Sequence, residues 1–394
     1  MTRTVYVAGT GITAFGKFAT ASLGSLGREA GAAALADAGI QGRDIDVVTC
    51  GCARSGTLHG RESGVGQYLG WELGIEGVPV YNEKAFCASG AMALNVAHLA
   101  IGSGRHDVAL VLGVEKMSSR GGRGRPLTSD GMVLEGEVGF TPPAYYAMAA
   151  RRHMAVYGTT REQIAAVAVK NRRAAVDNPK AQYRAPITLD DVLDSKPIVA
   201  PLNLLDCCPT GDGAAAVVLV SEAGAERLGI EPEIEVAASV VGSGYYRKQD
   251  RDMTTFSLDR STAAKAYEQA QVAPSDIDVA EVHDSFSVAE ILHYEDLGLC
   301  EPGMGGKLVQ AGETALGGRI PVNTGGGLLN RGHPLGATGV AQIVELADQL
   351  RGRSGTRQVT GARTALAHIS GGFQDGDFAT SGVTVLARRH GTAA

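Results

Sequence analysis

Glu83-Lys84-Ala85-Phe86-Cys87-Ala88-Ser89-Gly90 is the stretch from which the rest of the chain can be read. Before it, Val78 to Asn82 has the composition of an extended segment; after it, Ala91 to Ile101 is a run of small and aliphatic residues suited to a helix. Cys87 is therefore expected at a helix mouth, where unpaired amide N–H groups and the positive end of the macrodipole favour negative charge. Such a position lowers a thiol pKa. The thiolate is the nucleophile that attacks an acyl carbonyl and stores the acyl group as a thioester. A free cysteine otherwise serves as a small buried hydrophobe, so the assignment depends on what the other segments bring to it.

The 394-residue chain is 44% hydrophobic, enough for a large core and for two domains or two similar halves. A net charge of -6 and a pI near 5.9 give no electrostatic footprint for nucleic acid or an anionic membrane. Six cysteines are too sparse for a disulfide framework and fit a reducing compartment, which points to the cytoplasm. No signal peptide is expected, and no window reaches the roughly 18 apolar residues of a membrane span. The 54 glycines exceed the usual share of about 7% and gather near the candidate chemistry.

Outward from Cys87 the order of elements repeats. Thr4 to Gly9 reads as a strand, Leu26 to Ala38 as a helix stopped near Gly39, Ile45 to Cys50 as a strand, Gly64 to Leu73 as a helix and Val108 to Gly113 as a strand. In the second half a strand at Ile234 to Val241 and a helix at Thr262 to Ala270 lead to Asp276-Ile277-Asp278-Val279. This repeats the wording and position of Asp44-Ile45-Asp46-Val47. A helix at Ser287 to Gly298 and the stretch Ile320 to Gly327 follow, and His333-Pro334 opens a further helix over Leu335 to Gln349. His333 thus precedes the counterpart of the helix after Cys87. Two such halves packed face to face bring both helix mouths to one centre.

Ser118 to Asp206 interrupts the repeat. It opens with the basic loop Ser119-Arg120-Gly121-Gly122-Arg123-Gly124-Arg125-Pro126 and carries helices at Pro143 to Tyr157 and Arg161 to Val176, the latter with a Thr160/Gln163 capping box. Arg151, Arg152, Lys170, Arg172, Arg173, Lys180 and Arg184 add positive charge. Two readings stand: a solvated helix face, or an inserted lobe whose cations meet phosphates.

The second half supplies polar groups at strand ends and in glycine-rich loops. His283-Asp284-Ser285-Phe286 follows the apolar Ile277 to Val282 run. Asn323-Thr324-Gly325-Gly326-Gly327 leads to Arg331-Gly332-His333-Pro334-Leu335-Gly336-Ala337-Thr338-Gly339, with Pro334 suited to the first helical position. A helix mouth disfavours imidazolium, which keeps His333 neutral and able to accept the Cys87 proton. Leu366-Ala367-His368-Ile369-Ser370-Gly371-Gly372-Phe373 ends a strand whose glycine amides can face a developing oxyanion. Tyr245-Tyr246 reads as packing or as acyl-pocket lining. Cys50, Cys52, Cys207, Cys208 and Cys300 read as buried and inert. Cys50-Gly51-Cys52 and Cys207-Cys208 lack neighbouring ligands, which argues against a metal.

Taken together these boxes resemble the thiolases, and the sterol-carrier-protein type more than the biosynthetic or degradative types. The resemblance is carried by Phe86 to Gly90, Glu115-Lys116-Met117-Ser118, Asp206-Cys207-Cys208-Pro209-Thr210-Gly211-Asp212-Gly213-Ala214-Ala215-Ala216, His283 to Phe286 and Gly332 to Gly339, in that order. It implies an α/β fold of two duplicated βαβαβαββ halves in a five-layered αβαβα arrangement. The expected division is 1–117 and 207–232 for the first half, 118–206 for an inserted coenzyme A-binding loop domain and 233–394 for the second half. It implies a homodimer or dimer of dimers, a coenzyme A thioester as substrate and no permanently bound cofactor. Cys87 would be acylated, His333 would activate it, His283 would complete one oxyanion hole, and amides of Cys87 and the Gly371-Gly372 turn the other. Arg120, Arg123, Arg125 and Arg184 would meet the coenzyme, while Glu115 and Asp212 would orient loops.

One position departs from the resemblance. Carbon–carbon bond-forming relatives place a second cysteine after the His-Asp pair or in a C-terminal Cys-x-Gly-Gly-Gly box; here Ser285 and His368 stand there. A serine hydroxyl is a poor base near neutral pH. The alternatives are proton transfer by His283 or His368, acyl transfer to a carbon acceptor other than coenzyme A thioester, retro-aldol cleavage of an acyl-CoA, or a degenerate scaffold. Relatives of this type also work with a partner made of an OB-fold and a zinc ribbon.

Overall fold

The structure, a computed structural model, describes residues 3–58, 63–118, 140–245, 252–374 and 377–389. Setting aside the shorter helices and a small two-stranded sheet, the first half runs β1 (Val5–Ile12), α1 (Leu23–Ala38), β2 (Val47–Gly51), α2 (Val65–Glu72), β3 (Val80–Glu83), α3 (Ser89–Gly102) and β4 (Val108–Lys116). Helices α4 (Pro142–Tyr157) and α5 (Arg161–Ala175) follow, and β5 (Asp212–Ser221) closes the half. The second half runs β6 (Ile234–Ser243), α6 (Ser257–Ala270), β7 (Val279–Glu281), α7 (Ser287–Asp296), α8 (Leu335–Leu350), β8 (Thr364–Gln374) and β9 (Asp377–Arg388).

The strand order is β3-β2-β4-β5-β1 in the first half and β6-β9-β8-β7 in the second, equivalent orders read from opposite ends. The counterpart of β3 shrinks to one parallel bridge, Ala280 to Val322. The halves join into a nine-stranded sheet where β1 and β6 pair antiparallel through Tyr6–Glu235 and Val7–Ile234.

The four-residue repeat has a mechanical reason. Asp44 accepts the Gln41 N–H at 2.8 Å and Asp276 the Ala273 N–H at 2.8 Å, each closing a short 3-10 turn. Asp46 then takes the N–H groups of Asp107 and Val108 at the start of β4, and Asp278 those of Arg363 and Thr364 at the start of β8. In both halves the first aspartate closes the turn and the second ties the start of the equivalent strand.

Alternation along the strands builds the layers. In β5, Ala214, Ala216, Val218 and Val220 pack outward beneath α1, while Ala215, Val217 and Leu219 pack inward on the central helices. Helices α3 and α8 lie against each other between the two halves' strands; α1 and α2 cover one outer face, α6 and α7 the other. Burial on all sides explains why small and aliphatic residues dominate α8: every residue but Asp348 is buried, Gln342, Glu345 and Gln349 included.

Glycines let the central helices touch backbone to backbone. A Cβ at Gly90 would lie 2.8 Å from the Gly336 carbonyl oxygen, one at Gly339 2.7 Å from the Ala91 nitrogen, and one at Gly336 2.7 Å from the Gly51 carbonyl oxygen. This approach sets the two helix mouths face to face.

Several expectations shift on detail. Pro334 is the N-cap of α8 rather than its first residue. His368 to Phe373 lies inside β8, which continues into β9. In the segment between β4 and β5, the Thr160/Gln163 box is formed, but part of its positive charge is spent internally. Lys170 pairs with Glu290 at 2.7 Å, and Arg172 bonds Asn330 and the Ala185 carbonyl. No helix among the described residues is long and apolar enough to cross a membrane.

Candidate active site

Cys87 stands two residues before α3, on a loop held by Ser89. The Ser89 hydroxyl accepts the Ala85 N–H at 2.9 Å and donates to the Phe86 carbonyl at 2.7 Å. Phe86 adopts φ +53, a conformation that L residues with side chains rarely take, and this turns Cys87 toward the second half. From that half β8 presses on the loop: a Cβ at Gly371 would lie 2.7 Å from the Ala85 carbonyl oxygen and 3.0 Å from the Cys87 nitrogen. Only glycine fits there.

The thiol does not behave as a helix mouth alone implies. Burial, followed by the Glu115 carboxylate, pushes Cys87 up to about 12, against its own backbone amide, which pulls it down. Desolvation outweighs the helix-end field, so the resting group is a neutral thiol. Fully buried Glu115 accepts N–H groups from Ala53, Arg54 and Ser55 after β2, and from Gly336 of α8 at 2.9 Å. It is a clamp between the halves. Asp212 plays a local part, taking N–H groups from Phe18 and Ser118 and pairing with Lys116 at 2.7 Å.

His333 faces this thiol with a defined tautomer. Its Nδ1 lies 2.9 Å from the Thr338 hydroxyl oxygen, and that hydroxyl donates to the Pro334 carbonyl at 2.9 Å. A hydroxyl that has given its one proton away accepts, so Nδ1 carries the hydrogen and Nε2 keeps its lone pair. Nε2 is buried and has no hydrogen-bond partner among the described residues. Burial, then Arg331, lowers His333 to about 3, so the neutrality expected at the helix mouth arises mainly from desolvation. His283, just past β7, packs edge-on against His333 with ring centroids 5.4 Å apart at 83°. Burial and then His333 hold it well below the ordinary histidine range. The Cys87 sulfur and one ring nitrogen of each histidine lie within 4.8 Å of one another.

His368 joins a different group. Its Nε2 lies 3.2 Å from Asp259 and 3.0 Å from the Ser370 hydroxyl, which donates to Asp259 at 2.6 Å. His293 reaches the same carboxylate from α7 at 3.3 Å. All three ionisable side chains are fully buried. Burial works against charge on Asp259, but His368 and His293 hold its carboxyl well below the usual range; burial lowers His293 to about 4. The rings step back from the thiol: His283 to His293 is 6.2 Å and His293 to His368 4.5 Å. Asp259 and His293 escaped the sequence reading, since one acidic and one imidazole group on separate helices carry no local signal.

Ser285 is buried, lies against the Tyr146 hydroxyl, and gives its carbonyl to the Cys208 N–H at 3.0 Å. Arg184 is exposed, its Nε donating to the Val176 carbonyl at 3.1 Å. Arg120, Arg123, Arg125 and Tyr246 lie outside the described residues, and Tyr245 is exposed. Cys50 and Cys52 are buried as expected, whereas Cys207, Cys208 and Cys300 are only partly so.

The thiolase N-terminal domain matches residues 5–223, and the thiolase C-terminal domain-like family matches 241–388. The chain belongs to the thiolase family. This thiolase-family chain is 42% identical to the acetyl-CoA acetyltransferase of Methanothermobacter thermautotrophicus over 94% of its length and 97% of the relative's. It is 38% identical to sterol carrier protein 2 of Homo sapiens over 94% of its length and 70% of that protein's. Among solved structures, the Ltp2-ChsH2(DUF35) aldolase superposes with a TM-score of 0.83 at 29% identity, covering 99% of each chain. Human mitochondrial 3-ketoacyl-CoA thiolase, at 20% identity and a TM-score of 0.71 over 98% and 99% of the two chains, has the same fold.

Proposed function

We propose that the chain is an acyl-CoA C-acyltransferase that forms an acyl-Cys87 intermediate, for thiolytic cleavage of 3-ketoacyl-CoA or the reverse Claisen condensation. The observation that carries this is the meeting of the Cys87 thiol with the free Nε2 of His333 and with His283, inside a thiolase fold. His333 takes the thiol proton as sulfur attacks the acyl carbonyl, because a neutral pair reacts through proton transfer coupled to attack rather than through a standing thiolate. His283 and the amides at Cys87 and Gly371-Gly372 receive the negative oxygen of the tetrahedral intermediate. Coenzyme A thioester is the substrate, with Arg184 and the arginines 120, 123 and 125 offered to its phosphates.

Intact-mass measurement after incubation with acetyl-CoA and longer acyl-CoAs tests the reading. Wild type gains one acyl mass and Cys87→Ala gains none; an adduct retained in Cys87→Ala, or absent from wild type at every chain length, overturns it.

A second reading is retro-aldol cleavage of a 3-hydroxyacyl-CoA, together with an OB-fold/zinc-ribbon partner. It is favoured by Ser285 and by the likeness to the Ltp2-ChsH2(DUF35) aldolase. Release of an aldehyde or ketone from a 3-hydroxyacyl-CoA by the Cys87→Ala variant distinguishes it. A second copy of the chain is proposed for the face where β3 forms the sheet edge and Tyr81, Trp71 and Leu99 stand exposed. All six cysteines are free, in keeping with the cytoplasm.

A further inference from the structure

We infer that Cys208 is the group that delivers and removes the proton on the reacting carbon; this rests on the carbon–carbon chemistry proposed above. That chemistry needs a second acid or base besides His333. When the bond between C2 and C3 of the substrate breaks, the electron pair is left on C2 and must take a proton. The Nε2 of His333 is by then occupied with the Cys87 proton.

The candidates on hand are few. His368 is committed to Asp259 and Ser370 in the buried group behind His283. The Ser285 hydroxyl is too weak an acid. Cys208, by contrast, lies across from Ser285. Cys207 and Phe286 form an antiparallel bridge, and the Cys208 N–H bonds the Ser285 carbonyl at 3.0 Å, so Cys208 and Ser285 are a cross-strand pair. Directly opposed residues in an antiparallel pair present their side chains to the same face. Cys207 turns its sulfur away to the Asn203 carbonyl at 3.4 Å. Cys208 is only partly buried, and its thiol interacts electrostatically with Cys87 and with Asp284. Two buried nitrogens without a hydrogen-bond partner among the described residues, Nε2 of His333 and Nδ1 of His283, belong to the same centre.

The cycle balances. Cys87 sulfur bonds to C3 while its proton passes to His333, and the C2–C3 bond breaks to leave an enolate on C2. The Cys208 thiol protonates C2 and becomes a thiolate. That thiolate takes the proton of the incoming coenzyme A thiol, whose sulfur displaces the acyl group from Cys87. The departing Cys87 thiolate recovers its proton from His333. Condensation is the same path reversed, with the Cys208 thiolate abstracting a C2 proton. Burial, followed by the neighbouring Cys207 and Cys87, raises the Cys208 thiol well above the usual cysteine range, which suits a group that must rest protonated and give its proton to carbon.

The test compares wild type, Cys208→Ala, Cys208→Ser and Tyr146→Phe in two assays: acyl adduct on Cys87 by intact mass, and deuterium entry into the acetyl-CoA methyl group from D2O alongside acetoacetyl-CoA thiolysis. Both Cys208 variants are expected to reach the wild-type extent of acylation on prolonged incubation with acetyl-CoA, which reports that they fold, though more slowly because Cys208 also protonates the departing coenzyme A thiolate, and to lose on the order of 10²-fold or more in exchange and thiolysis. Exchange and thiolysis within threefold of wild type in Cys208→Ala overturn the inference. So does loss confined to Tyr146→Phe, which assigns the proton to the phenol beside Ser285. A wild type that forms no adduct overturns the acyltransferase reading itself, a failure distinct from these.

Discussion

A thiol near 12 beside an imidazole near 3 is a pair of neutral groups, and its reactivity differs from that of a thiolate–imidazolium pair. Alkylation of Cys87 by iodoacetamide should climb about tenfold per pH unit from pH 6 to 9, with no low-pH plateau; a plateau below pH 7 would show a preformed thiolate. Glu115→Gln removes a negative charge that raises the thiol pKa, so alkylation at pH 8 should become faster; an unchanged or slower rate would contradict that role. A lowered His333 stays neutral as pH falls through 6.5 toward 4. The acylation step should therefore show no acid limb in kcat/KM at the ordinary histidine pKa, whereas a limb near pH 6.5 would mean that the imidazole is hydrated. Replacing the base itself, His333→Asn, should slow adduct formation by about 10²–10⁴-fold.

At the scale of elements, glycines rather than large side chains govern the site. Gly339→Ala puts a methyl 2.7 Å from the Ala91 nitrogen and must push α8 from α3, at a cost of about 1–3 kcal/mol, and should slow acylation by separating Cys87 from His333. Gly102→Ala meets nothing closer than the Arg3 carbonyl oxygen at 3.7 Å and serves as the control, with urea midpoint and adduct rate unchanged or slightly improved. Equal effects of the two substitutions would dismiss the close approach as a determinant. Much of this level was legible in sequence. The Asp44/Asp46 and Asp276/Asp278 pairs announced the duplication because each aspartate ties backbone local to its own half. Cys87 and His333 were legible through their place before small-residue helices. The thiol's high pKa was not, because desolvation comes from the opposite half. Nor was the Asp259–His293–His368 group, whose members come from α6, α7 and β8 and meet only after folding. Cys208 was read as inert packing because its partner Ser285 is distant in sequence.

Across the whole molecule, the halves share their central helices and side-chain ties such as Glu115 to Gly336 and Arg351 to Asp37 more than they share strand pairing, which amounts to two residue pairs between β1 and β6. The fold should therefore melt as one cooperative unit, with far-UV circular dichroism and Cys87 accessibility changing together; two separated transitions would show independent halves. Residues 1–232 and 233–394 produced separately should each fail to form an acyl adduct, and mixing or co-producing them should restore it. The division of labour across the chain has a consequence during synthesis. A ribosome that has released the first half has made a thiol without its base, without the His283 and Gly371-Gly372 oxyanion donors and without the β8 strand that seats the loop. The catalysed attack on a thioester is assembled only once translation has passed Gly372 and the second half has closed over the first, so an unfinished chain carries the nucleophile without the groups that would drive its acylation.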